Sequence, residues 1–349
     1  LINRLSLKTS KLIVTSFGSP YLIQDFPNAY IYICAYKGSL LMQNAVANFL
    51  MGNASASGIL PVTIPGIAAR GSGIAIESFP WSQKENISEP GIELIRIRSD
   101  EIGVDIEPIK DILEEAVGDT AFPGGVMLAA KDGKIFLHEA VGYHTYSKNK
   151  PISKGSIFDL ASITKAVSTT SAIMNLVEEG KINLDDKVVR YLPEFAGKQK
   201  KHYDQKRNTS IRHLITHTAG LPPFKQYFKM EGSYQSRIDS IFNTEPYRAL
   251  SDSTVYSDIG LIVLGKLIER VVKNSLDAYV DSVVFGPLGM SSTFYNPLSK
   301  KINRVIPTKN SKFHNKLIKG FVHDENAHSL GGVAGHAGLF STAKDLAIF

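Results

Sequence analysis

A serine three residues ahead of a lysine occurs three times in this chain: Ser147 with Lys150, Ser162 with Lys165, and Ser341 with Lys344. On a helix that spacing puts hydroxyl and amine on one face, within reach of each other. A buried lysine sheds its proton more readily and can take one from the hydroxyl. The serine oxygen can then attack an acyl carbonyl and hold the acyl group covalently. An exposed lysine stays protonated and cannot do this, so context has to choose among the three pairs.

Ser147 lies in the polar stretch "YSKNKP", which reads as an exposed loop with a solvated Lys150. Ser341 precedes Thr342 and Asp345, which resemble a capping box, so its expected role is structural. Ser162 differs: "IFDLA" precedes it and "AVSTTSAIM" follows, so one long, largely buried helix is expected, stopped at Gly180. The start of that helix offers backbone N–H groups and a positive dipole end to a developing oxyanion. The competing reading is a capping serine beside a lysine that snorkels to water. A second cluster, "STVYSDIGLIVLGKLIE", sets Tyr256 just before an apolar helix. Its phenol is placed to relay a proton to a leaving group, and Asp258 to bond the lysine or a substrate amide. Equally, Asp258 serves as a helix cap and Tyr256 as a half-buried aromatic.

The elements that must position these groups follow from periodicity. Apolar Ile106, Ile109, Leu113 and Val117 recur on one side of "DIEPIKDILEEAVGD", predicting an amphipathic helix. "GGVMLAAKDGKIFLHEAVGY" predicts a hairpin that turns at Asp132-Gly133. Ahead of these, residues 8–66 read as strand, turn, strand, helix and strand, the helix ending at Gly52. Residues 67–104, with little periodicity, read as a linker pinned by Trp81. The 349 residues suffice for two domains. Both ends look cut: Leu1 opens the chain, and a helix has barely begun at Phe349. No apolar run is long enough to cross a bilayer, and the first residues lack the features of a secretory signal.

The formal charge of +6 raises nucleic acid as a partner, but the basic run 197–207 carries no stacking aromatic besides Tyr203 and reads as a solvated loop. No nucleic-acid role is expected. The single cysteine, Cys34, excludes an intrachain disulfide and reads as a small buried apolar residue. His213 and His217 have helical metal-ligand spacing but no glutamate between them, and His217 is expected to fix the turn before Gly220. His323, Asp324 and His328 form a looser group, read as surface or pocket lining. No metal and no cofactor are expected. The glycine-rich "GGVAGHAG" lacks the lysine-serine of a phosphate loop and is expected to shape a pocket wall, with His336 and Gly338 touching substrate.

Taken in order, "DLASITK", "IRHLITHTAGLP", "YSD" before an apolar helix, and "GLFSTAKDLAIF" resemble the serine β-lactamases and penicillin-binding-protein-like hydrolases, closest to the class C β-lactamase and esterase group. The resemblance covers roughly 105–349. It implies an acyl-enzyme mechanism with Ser162 as nucleophile, Lys165 as proton acceptor and Tyr256 as the tyrosine of a Tyr-x-Asn motif. Asp258 stands where that motif has asparagine, which places efficient β-lactam hydrolysis in doubt. The family's Lys-Thr-Gly or His-x-Gly strand is not matched by "GHAG" in context and is expected beyond Phe349. The implied fold is α/β: a β-lactamase/transpeptidase-like sheet with flanking helices and a helical subdomain, truncated at its C-terminal end and preceded by a partial α/β sandwich.

Within residues 1–66, "FGSPY" and "GILPVTIP" resemble the end of the C-terminal domain of family 3 glycoside hydrolases. Together the two resemblances imply a β-N-acetylglucosaminidase-like enzyme fused to a hydrolase domain at 105–349. They imply a small-molecule or peptidoglycan-fragment substrate and a bacterial cell envelope or periplasm as location. The alternative is a module that binds muropeptides without turnover and serves the preceding glycosidase.

Overall fold

The computed structural model describes residues 13–16, 31–34, 46, 94–197, 200–311 and 313–349. The chain divides into two compact units, Leu1–Ser88 and Glu89–Phe349. In the first, strands β1 (Ile13–Ser16) and β2 (Ile31–Cys34) pair in parallel, Ile13 opposite Ile31. Their β-branched and aromatic residues suit that pairing. Of the helix expected before Gly52 only Val46 is described, helical and buried. The strand expected near residue 60 and Trp81 lie outside the described residues.

The second unit starts before the boundary expected near Asp105. Strand β3 (Ile95–Arg96), inside the stretch read as linker, runs parallel to the strand that opens at Lys134. Helix α1 (Glu107–Gly118) follows, with Ile109, Leu113 and Val117 half-buried along one side. Strands β4 (Gly124–Lys131) and β5 (Lys134–Gly142) form the predicted hairpin. Asp132 (φ 51°) and Gly133 (φ 73°) both adopt left-handed backbone at its turn, as a tight two-residue hairpin loop requires.

The region that carries the serine is built around a smaller sheet and a helical core. Strand β6 (Phe158–Asp159) leads into the serine turn, and helix α2 (Ser171–Glu178) lies beyond it. Helices α3 (Lys200–Asn208), α4 (Ile211–Ile215) and α5 (Tyr234–Phe242) precede α6 (Asp258–Val272). The sequence of α6 is apolar on every side, and Ile259, Leu261, Ile262, Val263, Leu264, Leu267 and Ile268 are all buried in one core. Helix α7 (Leu276–Val280), strand β7 (Phe294–Tyr295), the pair β8 (Asn310–Ser311) and β9 (Lys316–Leu317), and helix α8 (Glu325–Ser329) follow. Strand β10 (Leu339–Ser341) then lies between β6 and β7, antiparallel to both. Helix α9 (Ala343–Ile348) packs on β4. Thr342 caps it by accepting from Asp345 N at 3.2 Å. The Asp345 carboxylate is engaged elsewhere, with Ser292 N and Thr293 Oγ1, so the expected reciprocal box is half-formed.

The run 197–207, expected to be a solvated loop, is helical from Lys200 onward. Lys206 is only 3% exposed. Its ammonium bonds the Phe242 carbonyl and sits 4.7 Å from the centre of the Phe195 ring, which together replace water. Burial pushes its pKa down to about 8, with Glu245 acting in the opposite sense. The unfolded lysine holds its proton to higher pH, so native stability rises with pH between about 8 and the ordinary lysine value of 10.5. Denaturant titrations at pH 7.5 and 9.5 should show wild type gaining on the order of 1 kcal/mol relative to Lys206→Met over that step. A gap that does not change with pH would refute this account of Lys206.

Candidate active site

The serine turn begins with Asp159 at the end of β6. Its carboxylate accepts from Ala161 N at 2.8 Å and from His323 N at 2.7 Å. Ala161 is held at φ 45°, a left-handed conformation uncommon for a residue with a side chain. Ser162 follows, exposed, within a single 3-10 turn, Ala161–Ile163. The segment then winds as a π-helix over Lys165–Thr170 before α2 starts, where one regular helix was expected. Side chains here bond across the molecule. Thr164 Oγ1 accepts from Leu339 N at 3.1 Å, and Thr169 Oγ1 donates to Gly335 O at 2.7 Å. Wide π turns of this kind recur at functional sites.

Lys165 is 7% exposed. Its Nζ donates to Ser162 Oγ at 2.8 Å and to the His336 carbonyl at 3.0 Å. Asp258 Oδ1 lies 2.8 Å from it. That oxygen has no partner in hydrogen-bonding alignment, so the approach is a contact of opposite charges without a directed bond. The line from Nζ to Oγ carries a proton either way: an uncharged amine there presents its lone pair to the serine hydroxyl.

Ser257, and not Asp258, caps α6. Its Oγ accepts from Gly260 N at 3.4 Å and donates to Pro222 O at 2.6 Å. Asp258, the first residue of the helix, is thereby free to face the lysine. The Tyr256 ring is 51% exposed and lies with its centre 4.8 Å from Lys165 Nζ and 4.7 Å from the His217 ring. Its described contact with the amine is thus through the ring face. His217 pegs this segment: Nδ1 accepts from Ser257 N at 3.0 Å, and its carbonyl accepts from Val255 N at 2.9 Å. Since a backbone N–H only donates, the ring hydrogen is on Nε2. Burial, with the charge of Lys165 adding, holds His217 below its ordinary pKa and so uncharged.

His336 and Gly338, expected to touch substrate, are both buried. His336 is 1% exposed; its carbonyl meets Lys165 and its Nε2 lies 2.9 Å from Asp324 Oδ1. Gly338 has φ 117°, and a side chain there would meet Gly332 O at 2.3 Å. Burial acts to raise the Asp324 pKa, but the His336 hydrogen bond and the charges of His336 and Lys165 outweigh it and hold the carboxyl below its ordinary value. Sequence reasoning placed Asp324 only in a loose group with His323 and His328. The structure disperses that group: His323 N goes to Asp159, and His328 packs against His314 and Phe321. His213 Nδ1 is taken by Ser210 N at 3.0 Å. Among the described residues no cluster of three or more His, Cys, Asp or Glu is placed to hold a metal ion.

Of the other two serine–lysine pairs, Ser147 bonds Thr145 while Lys150 reaches Asn303 O. Ser341 is buried against Thr293 Oγ1 at 2.7 Å while Lys344 is exposed.

The family model described as Beta-lactamase matches residues 109–349. The chain belongs to the Beta-lactamase family. This is a family of serine hydrolases, and the expected α/β fold of β-lactamase/transpeptidase type is the one observed. A relative named N-acetylmuramyl-L-alanine amidase, from Bacillus subtilis (strain 168), is 33% identical over 255 residues, covering 65% of this chain and 58% of the relative. A putative D-alanyl-D-alanine carboxypeptidase of Escherichia coli (strain K12) is 32% identical over 258 residues, covering 66% and 59%. The chain therefore spans under two thirds of the length of these curated relatives. The octameric penicillin-binding protein homologue from Pyrococcus abyssi superposes with a TM-score of 0.56 at 22% identity, over 70% of this chain and 55% of that one. A class C beta lactamase from Rhodobacter sphaeroides gives 0.54 at 21%, over 68% and 63%.

A carboxylate touching an amine favours the protonated amine. Asp258→Asn should therefore move the pH midpoint of labelling by a serine-directed reagent downward and raise its rate at neutral pH by about threefold to tenfold. The rate of serine labelling measured across pH 5–10 checks this; an unmoved midpoint would show that Asp258 does not govern the amine.

Proposed function

We propose that this Beta-lactamase-family chain is the acyl-transfer domain of a cell-wall hydrolase, with Ser162 as nucleophile and Lys165 as general base. The observation that carries this reading is the 2.8 Å contact between an exposed serine oxygen and a buried lysine nitrogen. Ser162 Oγ attacks the acyl carbonyl as its proton passes to Nζ. The carbon–leaving-group bond breaks as a proton reaches the departing amine or alcohol, through Tyr256 where its phenol can reach. Water then cleaves the ester, and Ser162 regains its hydrogen. The substrate class we assign is amides or esters related to the D-alanyl ends of cell-wall peptides, or β-lactams, with Asp258 contacting substrate or lysine. The names of the two relatives support a peptidoglycan-related substrate. They are also compatible with action in a bacterial cell envelope; no described helix is long and apolar enough to cross a membrane.

The same proposal takes residues 1–66 as the end of a family 3 glycoside-hydrolase-like domain, 67–104 as a linker whose last part, with β3, pairs onto the hydrolase domain, and 105–349 as that domain. The parallel pairing of β1 and β2 is consistent with an α/β layer at the start of the chain. A second reading has one observation in its favour. Asp258 against Lys165 stabilises the charged amine, which suits a muropeptide-binding module that does not turn its ligand over.

Labelling separates the two readings. A fluorescent penicillin or an alkyl fluorophosphonate should label wild-type protein at Ser162 and leave Ser162→Ala unlabelled. Lys165→Ala should slow labelling by roughly 10²-fold or more. Equal labelling of wild type and Ser162→Ala would end the catalytic reading, and tight binding of a peptidoglycan fragment with no hydrolysis would favour the binding module.

A further inference from the structure

Lys165 takes one of its oxygen partners from the carbonyl of His336, inside a glycine-rich run that backbone bonds tie at its start, Gly331 N to His328 O and Gly332 N to Ala327 O. Gly331, Gly332 and Gly338 in "GGVAGHAG" all have φ in the left-handed half of the map, at 84°, 84° and 117°. Glycine there permits the path without selecting it. What selects it is a set of bonds from side chains. Thr169 Oγ1 holds Gly335 O, and Thr164 Oγ1 holds Leu339 N. Between them, His336 is tied through Nε2 to Asp324 Oδ1. Gly335 also leaves no room to move, since a Cβ on it would lie 2.1 Å from Leu261 O in α6.

Asp324 is held just as firmly. The oxygen that bonds His336 also caps α8 by accepting from Ala327 N at 2.8 Å. Asn326 in that helix is buried and bonds Phe228 N at 3.1 Å and Lys225 O at 2.8 Å. The preceding residue, His323, gives its N–H to the Asp159 carboxylate that shapes the serine turn. Two successive residues therefore reach the two halves of the pair: His323 the turn that presents Ser162, and Asp324 the peptide that receives Lys165. A buried imidazole beside a half-buried carboxylate is costly to desolvate, and an apolar side chain at His336 would fill the same space more cheaply.

We infer that the Asp324–His336 pair is a positioning device for the general base: it fixes the carbonyl that orients Lys165 and sets the electrostatic bias on the amine. This rests on the assignment of Ser162 and Lys165 made above. Neither residue needs to touch substrate. Asp324 acts through its bond to the His336 ring and through its charge, opposite to that of a protonated Lys165, and His336 acts through its main chain. The other titratable groups facing Lys165 are Asp258 and Tyr256, with His217 behind them.

Three variants test the device, read by the rate of labelling with an alkyl fluorophosphonate across pH 5–10. His336→Ala leaves the carbonyl unanchored and should slow labelling at least about tenfold. His336→Gln, which keeps an N–H for Asp324, should restore the rate to within about threefold of wild type. Asp324→Asn keeps the acceptor and removes the charge, so the midpoint of the profile should fall by roughly half a unit or more. A change of midpoint would not follow from a merely structural role. Wild-type rate and midpoint in both Asp324→Asn and His336→Ala would overturn the inference. If His336→Ala does not fold, an unmoved midpoint in Asp324→Asn overturns it alone. Ser162→Ala is run alongside: if it labels as wild type does, the nucleophile assignment fails, and that result is distinct from failure of the positioning device.

Discussion

An ammonium taken out of water loses hydration worth several kcal/mol even after the protein relaxes around it. Lys165 meets that loss with the Ser162 hydroxyl, the His336 carbonyl and the Asp258 carboxylate, at 2.8, 3.0 and 2.8 Å, and with the face of the Tyr256 ring. These partners come from three segments, the serine turn, the start of α6 with Tyr256 just before it, and the run before β10, and none can move far without leaving Lys165 short of a partner. The neighbourhood of the serine is organised around that requirement. It explains why α6 is capped by Ser257, leaving Asp258 for the lysine. It also explains why a glycine-rich run needs a buried histidine within it.

The fold supplies the partners by bringing three segments to one place. Strands β6 and β10 lie side by side, so the serine turn that leaves β6 runs past the peptides that enter β10. Helix α6 contributes its first turn, set in place by the His217 ring and by Ser257 reaching back to Pro222. Its later turn accommodates the close approach of Gly335, where Gly265 has no side chain either. The apolar surround that makes α6 a core helix is thus also what holds Asp258 against the lysine. Packing and chemistry share the same residues here, so a core substitution near Leu261 would be felt at the amine.

Much of this was legible in sequence where the signal was local. The Asp132-Gly133 hairpin, the amphipathic α1 and the apolar α6 each follow from residues a few positions apart. So does the contact of Ser162 with a buried lysine, which the other two pairs lack, since the apolar flanks of "DLASITK" separate it from a polar loop and a capping turn. What was not legible depended on contacts far apart in the chain. Lys206 sat in a run of like charges and read as solvated, because nothing nearby in sequence announces the Phe195 ring or the Phe242 carbonyl. The winding of 161–170 depends on bonds to residues 335 and 339. Asp324 and His336 are twelve positions apart. Each has a plain local reading, as a helix cap and as a pocket wall, and only their contact with each other reveals a third.

Asp258 is where the physical argument becomes most exacting. An asparagine at that place would offer the lysine an oxygen without a full charge, whereas a carboxylate 2.8 Å away stabilises the protonated amine. A base must be able to lose its proton, so the charge that makes Lys165 comfortable in the interior also opposes its use. Two features limit the opposition. Asp258 Oδ1 approaches without hydrogen-bond alignment, so it contributes charge but not a directed bond that deprotonation would break. And the serine hydroxyl and His336 carbonyl are neutral acceptors, which favour the charged amine by hydrogen bonding but less than a second carboxylate would. An acyl group entering over Ser162 would displace water from around Asp258 and Tyr256, and the balance between the two forms of the amine would then be set by the ligand. On the proposed assignment of Lys165 as base, the carboxylate would make proton transfer conditional on what occupies the site, and discrimination among substrates would then be exercised at the base as well as at the acyl carbon.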